Sequence, residues 1–170
     1  MSLPISTIGA ILVDQKQHMR FKSGELWREW AAEYPTIFDE DDVRLAESQA
    51  QLGFHFFEWL AAILLYHSTG FLSLVEQYQF KNHLVKQRIL RELLKPEVIT
   101  YITGSQSSSR PQCPDLLCYA PDYSDWFFYE VKGPEDLLRV EQEVFYDTLA
   151  KASGKPIRLI QFREEHAAGA

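Results

Sequence analysis

Residues 113–134 read CPDLLCYAPDYSDWFFYEVKGP, and the rest of the chain can be placed around them. Two largely apolar runs, 115–120 and 126–132, flank Pro121-Asp122-Tyr123-Ser124, which has the composition of a turn. The spacing predicts an antiparallel hairpin. With Ala120 opposite Asp125, Tyr119 faces Trp126 and Asp115 faces Glu130. Side chains alternate along a strand, so Glu130 and Lys132 leave one face and Val131 the other. Directly opposed Cβ atoms lie about 5 Å apart.

Two carboxylates so placed repel each other unless positive charge sits between them. Lys132 supplies one charge and a divalent cation would supply two. Carboxylate oxygens and water suit a hard ion such as Mg²⁺ or Mn²⁺, with the Val131 carbonyl as a further ligand. Such an ion holds a phosphate oxygen and acidifies water, while Lys132 orients that water. The chemistry fits phosphodiester hydrolysis. A salt bridge at strand ends is the competing reading of the same three residues.

The flanking sequence predicts further elements. Residues 24–34 read as a short helix stopped by Pro35. Asp41 or Asp42 caps a long helix running to about His67 and ended by Gly70. From Leu52 to Tyr66 that helix is apolar nearly all round, with His55 and Glu58 its strongly polar side chains. A carboxylate there is costly unless paired or metal-bound, which singles out Glu58. Glu47 is the competing upstream carboxylate, read more simply as a solvated first-turn residue. Residues 71–79 fit strand or helix. Residues 81–94 read as an amphipathic helix with Leu84, Ile89, Leu90, Leu93 and Leu94 inward and the basic residues mostly outward. Residues 98–103 are β-rich and read as a strand, and 104–112 as a loop. Pro134 opens a helix over 135–153 whose inward stripe is Leu138, Phe145, Leu149 and Ala152. Gln142 falls on that stripe, and an amide there needs a partner, either a backbone group or the carboxylates. A last strand covers 157–162, and the tail beyond Glu164 reads as frayed.

The chain has 170 residues, 46% of them hydrophobic, with 11 Phe, 8 Tyr and 4 Trp, which excludes intrinsic disorder. Its length predicts a single compact domain that folds without disulfide or structural metal. The longest apolar run, 60–66, is too short to span a membrane, and no signal-like leader is expected. Cys113 and Cys118 fit no redox or zinc spacing, so a reduced, cytoplasmic protein is expected. The formal net charge of −7 argues against a nucleic-acid partner. Its distribution argues the other way: residues 81–110 carry Lys81, Lys86, Arg88, Arg91, Lys95 and Arg110 against Glu92 and Glu97. A solvated helix face is the plainer reading of that segment.

Pro114-Asp115-Leu116, Glu130-Val131-Lys132-Gly133-Pro134 and the following Gln142 resemble the PD-(D/E)XK nuclease superfamily, and within it the VRR-NUC nucleases. Phe145 or Tyr146 would be the aromatic of the family's helix, and the Gln142–Tyr146 spacing is similar to the QxxxY signature of RecB-like nucleases. The resemblance covers about residues 97–163. Arg110-Pro111-Gln112-Cys113 departs from the Gly-rich residues common before the PD motif. The resemblance implies a restriction-endonuclease-like αβββαβ core, a mixed sheet flanked by helices, over residues 46–165. Residues 1–45 are then an N-terminal helical extension. It implies Asp115 and Glu130 as metal ligands, Lys132 as the catalytic lysine and Gln142 in support, with Glu58 or Glu47 as the helical carboxylate. The function expected is Mg²⁺-dependent (or Mn²⁺-dependent) hydrolysis of DNA, branched or flapped by family analogy. Lys81, His83, Lys86, Arg88, Arg91 and Arg110 are the candidate phosphate contacts. Many such enzymes act as dimers, because cutting two strands needs two sites, so the resemblance allows a homodimer while the sequence leaves the oligomeric state open. The alternative is a nucleic-acid-binding or assembly subunit that keeps the fold with little chemistry. A hydrolase of other substrates using the same metal site is a third.

Overall fold

The computed structural model describes residues 5–76, 78–80, 82–104 and 113–165, with side chains described except at 5–10, 41 and 45–49. Among the described residues the elements run β1 (Ile5–Val13), α1 (Gln15–Lys22), α2 (Glu25–Glu33), α3 (Glu40–Gln51), α4 (Phe56–Thr69), β2 (Leu72–Val75), α5 (Leu84–Leu93), α6 (Pro96–Gly104), β3 (Leu116–Tyr119), β4 (Trp126–Lys132), α7 (Val140–Ser153) and β5 (Ile157–Glu164). The strands form one five-stranded mixed sheet in the order β1-β5-β4-β3-β2. β2, β3 and β4 are antiparallel neighbours, and β5 runs parallel to both β4 and β1. No described helix is long and apolar enough to cross a membrane.

The hairpin has the expected register. Tyr119 pairs with Trp126 and Leu116 with Tyr129, and the Ala120 N–H donates to the Asp125 carbonyl at 2.9 Å. β3 is buried along its whole length. Helices cover both faces of the sheet, so strand side chains of either parity are apolar. Val75, Leu116, Cys118, Tyr129 and Val131 pack with Phe21, Trp27, Phe56 and Trp59 of α1, α2 and α4. Leu74, Leu117 and Phe128 pack with Leu90, Ile102, Tyr146 and Leu149 of α5, α6 and α7 on the other face. Burial of each large side chain contributes about 1.5–3 kcal/mol.

Several elements differ from the sequence expectation, each for a local reason. The predicted extension over 1–45 is not helical throughout. β1 pairs with β5 as an edge strand of the sheet, and Trp27 and Trp30 share a core with Phe56 and Trp59. The single long helix is two, because Gly53 (φ +74°) and His55 (φ +66°) take left-handed backbone between α3 and α4. α3 is capped earlier than expected. The Asp42 N–H donates to the Asp39 carboxylate at 2.9 Å and the Asp39 N–H returns to Asp42 at 3.1 Å. Residues 98–103 are helix rather than strand. Pro96 begins α6, and the β-branched Val98 and Ile102, four apart, bury on one face. α7 starts at Val140, after a turn in which the Asp136 N–H donates to the Gly133 carbonyl at 3.1 Å. Leu84 is 72% exposed, not inward. The ambiguous segment 71–79 supplies β2. The expected loop at 105–112 and the tail 166–170 lie outside the described residues.

Candidate functional site

The sheet delivers three carboxylates to one end. β2 pairs Val75 with Leu116, and β3 pairs Leu116 with Tyr129. The next residues, Glu76, Asp115 and Glu130, therefore stand in one row across three strands. The Glu76 N–H donates to the Asp115 carbonyl at 2.8 Å and continues the ladder. The Asp115 carboxylate takes the Val131 N–H at 2.8 Å, which fixes it against β4.

Glu130 is buried and heavily engaged. Its Oε1 takes the Lys132 ammonium at 2.7 Å and the Gln142 amide at 2.8 Å, and its Oε2 takes the Tyr146 hydroxyl. Gln142 uses both ends of its amide. Its oxygen accepts from Lys132 at 3.1 Å and from the Arg139 N–H at 3.2 Å, so the residue that caps α7 also ties the helix to the end of β4. The Gln161 amide donates to the Gly133 carbonyl at 2.6 Å and holds the same strand end from β5. Gly133 is needed for close approach: a Cβ there would lie 3.1 Å from the Phe57 ring.

Glu58, one of the two expected helical carboxylates, lies in the first turn of α4. Burial, and after it the charge of Glu76, push it up to about 8 from 4.5. Asp115 is held well above the ordinary carboxylate range by burial and by the charges of Glu130, Glu58 and Glu76. The side chain of Glu47 lies outside those described. His55, Glu58 and Glu76 bring one ligand atom each within 4.8 Å of one another, and the His55 Nδ1 lies 2.6 Å from Glu76. His55 and Glu76 (φ +44°) both hold left-handed backbone, a strained state for residues of their size.

This donor set fits a hard dication: clustered carboxylates, two of them raised by burial and, after it, by neighbouring negative charge. The Val131 peptide, expected to offer its carbonyl, is tied to the site through its N–H.

The basic segment divides. Arg88 and Arg91 are exposed on α5. Lys86, predicted to face phosphate, is instead only 1% exposed, because its ammonium is paired with Asp42 at 2.7 Å. His83 is also buried, at the start of α5, and does not lie on the surface. Lys81 and Arg110 fall outside the described residues. Cys118 is buried and Cys113 half-buried, both as free thiols. Burial pushes Cys118 up to about 12 and Cys113 higher still, so neither is an activated nucleophile.

Sequence reasoning missed Glu76 and His55 as members of the site. The signal was present: Glu76 is the sole charged residue of 59–80, and His55 precedes Glu58 by three. No family model matches the chain, and no curated protein matches it.

Proposed function

We propose that this protein is a metal-dependent nuclease that hydrolyses phosphodiester bonds of DNA. The observation that carries the reading is the row Glu76–Asp115–Glu130, with Lys132 on Glu130 and Glu58 of α4 beside Glu76. The order α4–β2–β3–β4–α7–β5, with α5 and α6 inserted between β2 and β3, supports a restriction-endonuclease-like αβββαβ core.

Asp115, Glu58 and Glu76 would hold a Mg²⁺ or Mn²⁺ ion, with Glu130 completing the set. When bound, the ion supplies positive charge to a phosphate oxygen and lowers the pKa of water. The chain's own residues do the rest. Glu130, braced by Gln142 and Tyr146, fixes the Lys132 ammonium at the sheet end. Lys132 there orients the attacking water and offsets charge developing on phosphate. Arg88 and Arg91 offer phosphate contacts on α5.

Cleavage of flap, junction and single-stranded DNA in Mg²⁺, Mn²⁺ or EDTA tests the reading. Wild type cuts with metal and not with EDTA, and Asp115→Asn and Lys132→Ala each lower the rate at least about 100-fold. Unchanged activity in either variant overturns the assignment of that residue. The net charge of −7 and the burial of Lys86 favour a second reading, an assembly subunit with little chemistry. It predicts no cleavage in any metal and, with Lys86 withdrawn from the surface, little DNA binding.

A further inference from the structure

We propose that Lys86 is a positioning residue of this site: its buried ammonium clamps the end of β2 and so aims Glu76 at His55 and Glu58. The inference rests on the metal-site reading above and assigns Lys86 a different task from the phosphate contact its sequence suggests. An ammonium has three donors. Here they meet Asp42 Oδ1 at 2.7 Å, the Val75 carbonyl at 2.7 Å and the Glu76 carbonyl at 3.2 Å. Successive carbonyls of an extended strand point to opposite sides. Two consecutive carbonyls converging on one cation therefore require a bend, and the bend is where Glu76 enters left-handed backbone. Strain of that kind persists only where the surroundings over-determine it. Glu76 is tied three ways: its N–H to the Asp115 carbonyl, its carbonyl to Lys86 and its carboxylate to His55. Without the ammonium the bend loses the group that holds both of its carbonyls. Asp42 holds the ammonium in place, and is itself fixed by the reciprocal cap with Asp39 at the start of α3. α3, α5 and the end of β2 are thereby joined at one buried cation behind the site.

The test is Mn²⁺ affinity, read by electron paramagnetic resonance of free Mn²⁺, alongside thermal midpoint and DNA affinity in EDTA. Removing Lys86 alone strands a buried Asp42, so the main variant is Asp42→Asn with Lys86→Met, which removes both charges. Lys86→Arg, which keeps the ion pair, is the second variant, and Glu76→Gln the reference. All three are expected to lose Mn²⁺ affinity about tenfold or more, the usual effect of losing a group that orients a ligand. DNA affinity in EDTA stays at the wild-type value. Combining Glu76→Gln with the double variant brings no further loss. Wild-type Mn²⁺ affinity in either folded Lys86 variant, with Glu76→Gln impaired, overturns the role of Lys86 alone. Wild type that takes up no Mn²⁺ overturns the metal site and this inference together. Lys86-dependent Mn²⁺ binding without DNA cleavage upholds the inference and overturns the nuclease.

Discussion

At Glu130, three donors converge on one carboxylate in a buried setting, and such bonds are worth more than neutral ones. Tyr146→Phe removes one donor and leaves the ring's packing. It should destabilise the fold by about 1.5–3 kcal/mol, read from the urea midpoint, and slow cleavage with it. Glu58 gives the site a pH signature. Its proton is held more tightly in the folded chain, where it titrates at about 8, than in the unfolded chain at 4.5. Its contribution to stability is therefore fully present below about pH 4.5 and lost as pH rises through 8, a loss on the order of a few kcal/mol. The thermal midpoint of the cation-free protein should fall across that window. Glu58→Gln should flatten the fall, and a midpoint that rises with pH in wild type would contradict the assignment. The meeting of Asp115, Glu130 and Lys132 was legible because strand alternation and a short turn fix which side chains meet, and Gln142 stood out as an amide on an apolar helical stripe that needed a partner. His55 and Glu76 were not, because their placement depends on left-handed backbone that no periodicity announces.

At the scale of elements, the hairpin β3–β4 was readable to the residue, since two apolar runs around a four-residue turn admit few registers. The helix α6 was not. Its β-branched residues favour strand, but Val98 and Ile102 four apart pack under α7 as part of the second core, and packing overrides propensity. The break between α3 and α4 was missed because one glycine was read as tolerable inside a helix, while Gly53 and His55 turn the chain. The join between β4 and α7 carries its own prediction. Gly133→Ala places a methyl 3.1 Å from the Phe57 ring and 2.9 Å from the Asp136 carboxylate. It should cost about 1–3 kcal/mol in a denaturant titration and loosen the strand end that carries Lys132. A fully stable Gly133→Ala protein would show that the approach is not tight.

Across the whole molecule, one sheet separates two cores, and the candidate site sits where three strands end between them. The parallel edge strand β1 was expected as part of a helical extension; Ile5 pairs with Ile157, 152 positions on, and long-range parallel pairing leaves no local mark. Net charge follows the same logic. The excess of acid over base describes the chain as a whole, while in the proposed function DNA contact would rest on the exposed Arg88 and Arg91 of α5. Arg88→Ala combined with Arg91→Ala should weaken DNA binding and shallow its salt dependence by up to about two contacts, without changing Mn²⁺ affinity. An unchanged salt slope would remove α5 from the DNA surface. The most direct test of the site itself is a crystal grown in Mn²⁺ and measured at a wavelength where manganese scatters anomalously. The account predicts a peak within about 2.0–2.3 Å of carboxylate oxygens of Asp115 and its neighbours Glu58 and Glu76, absent from Asp115→Asn. No peak there, or an equal peak in Asp115→Asn, would contradict it.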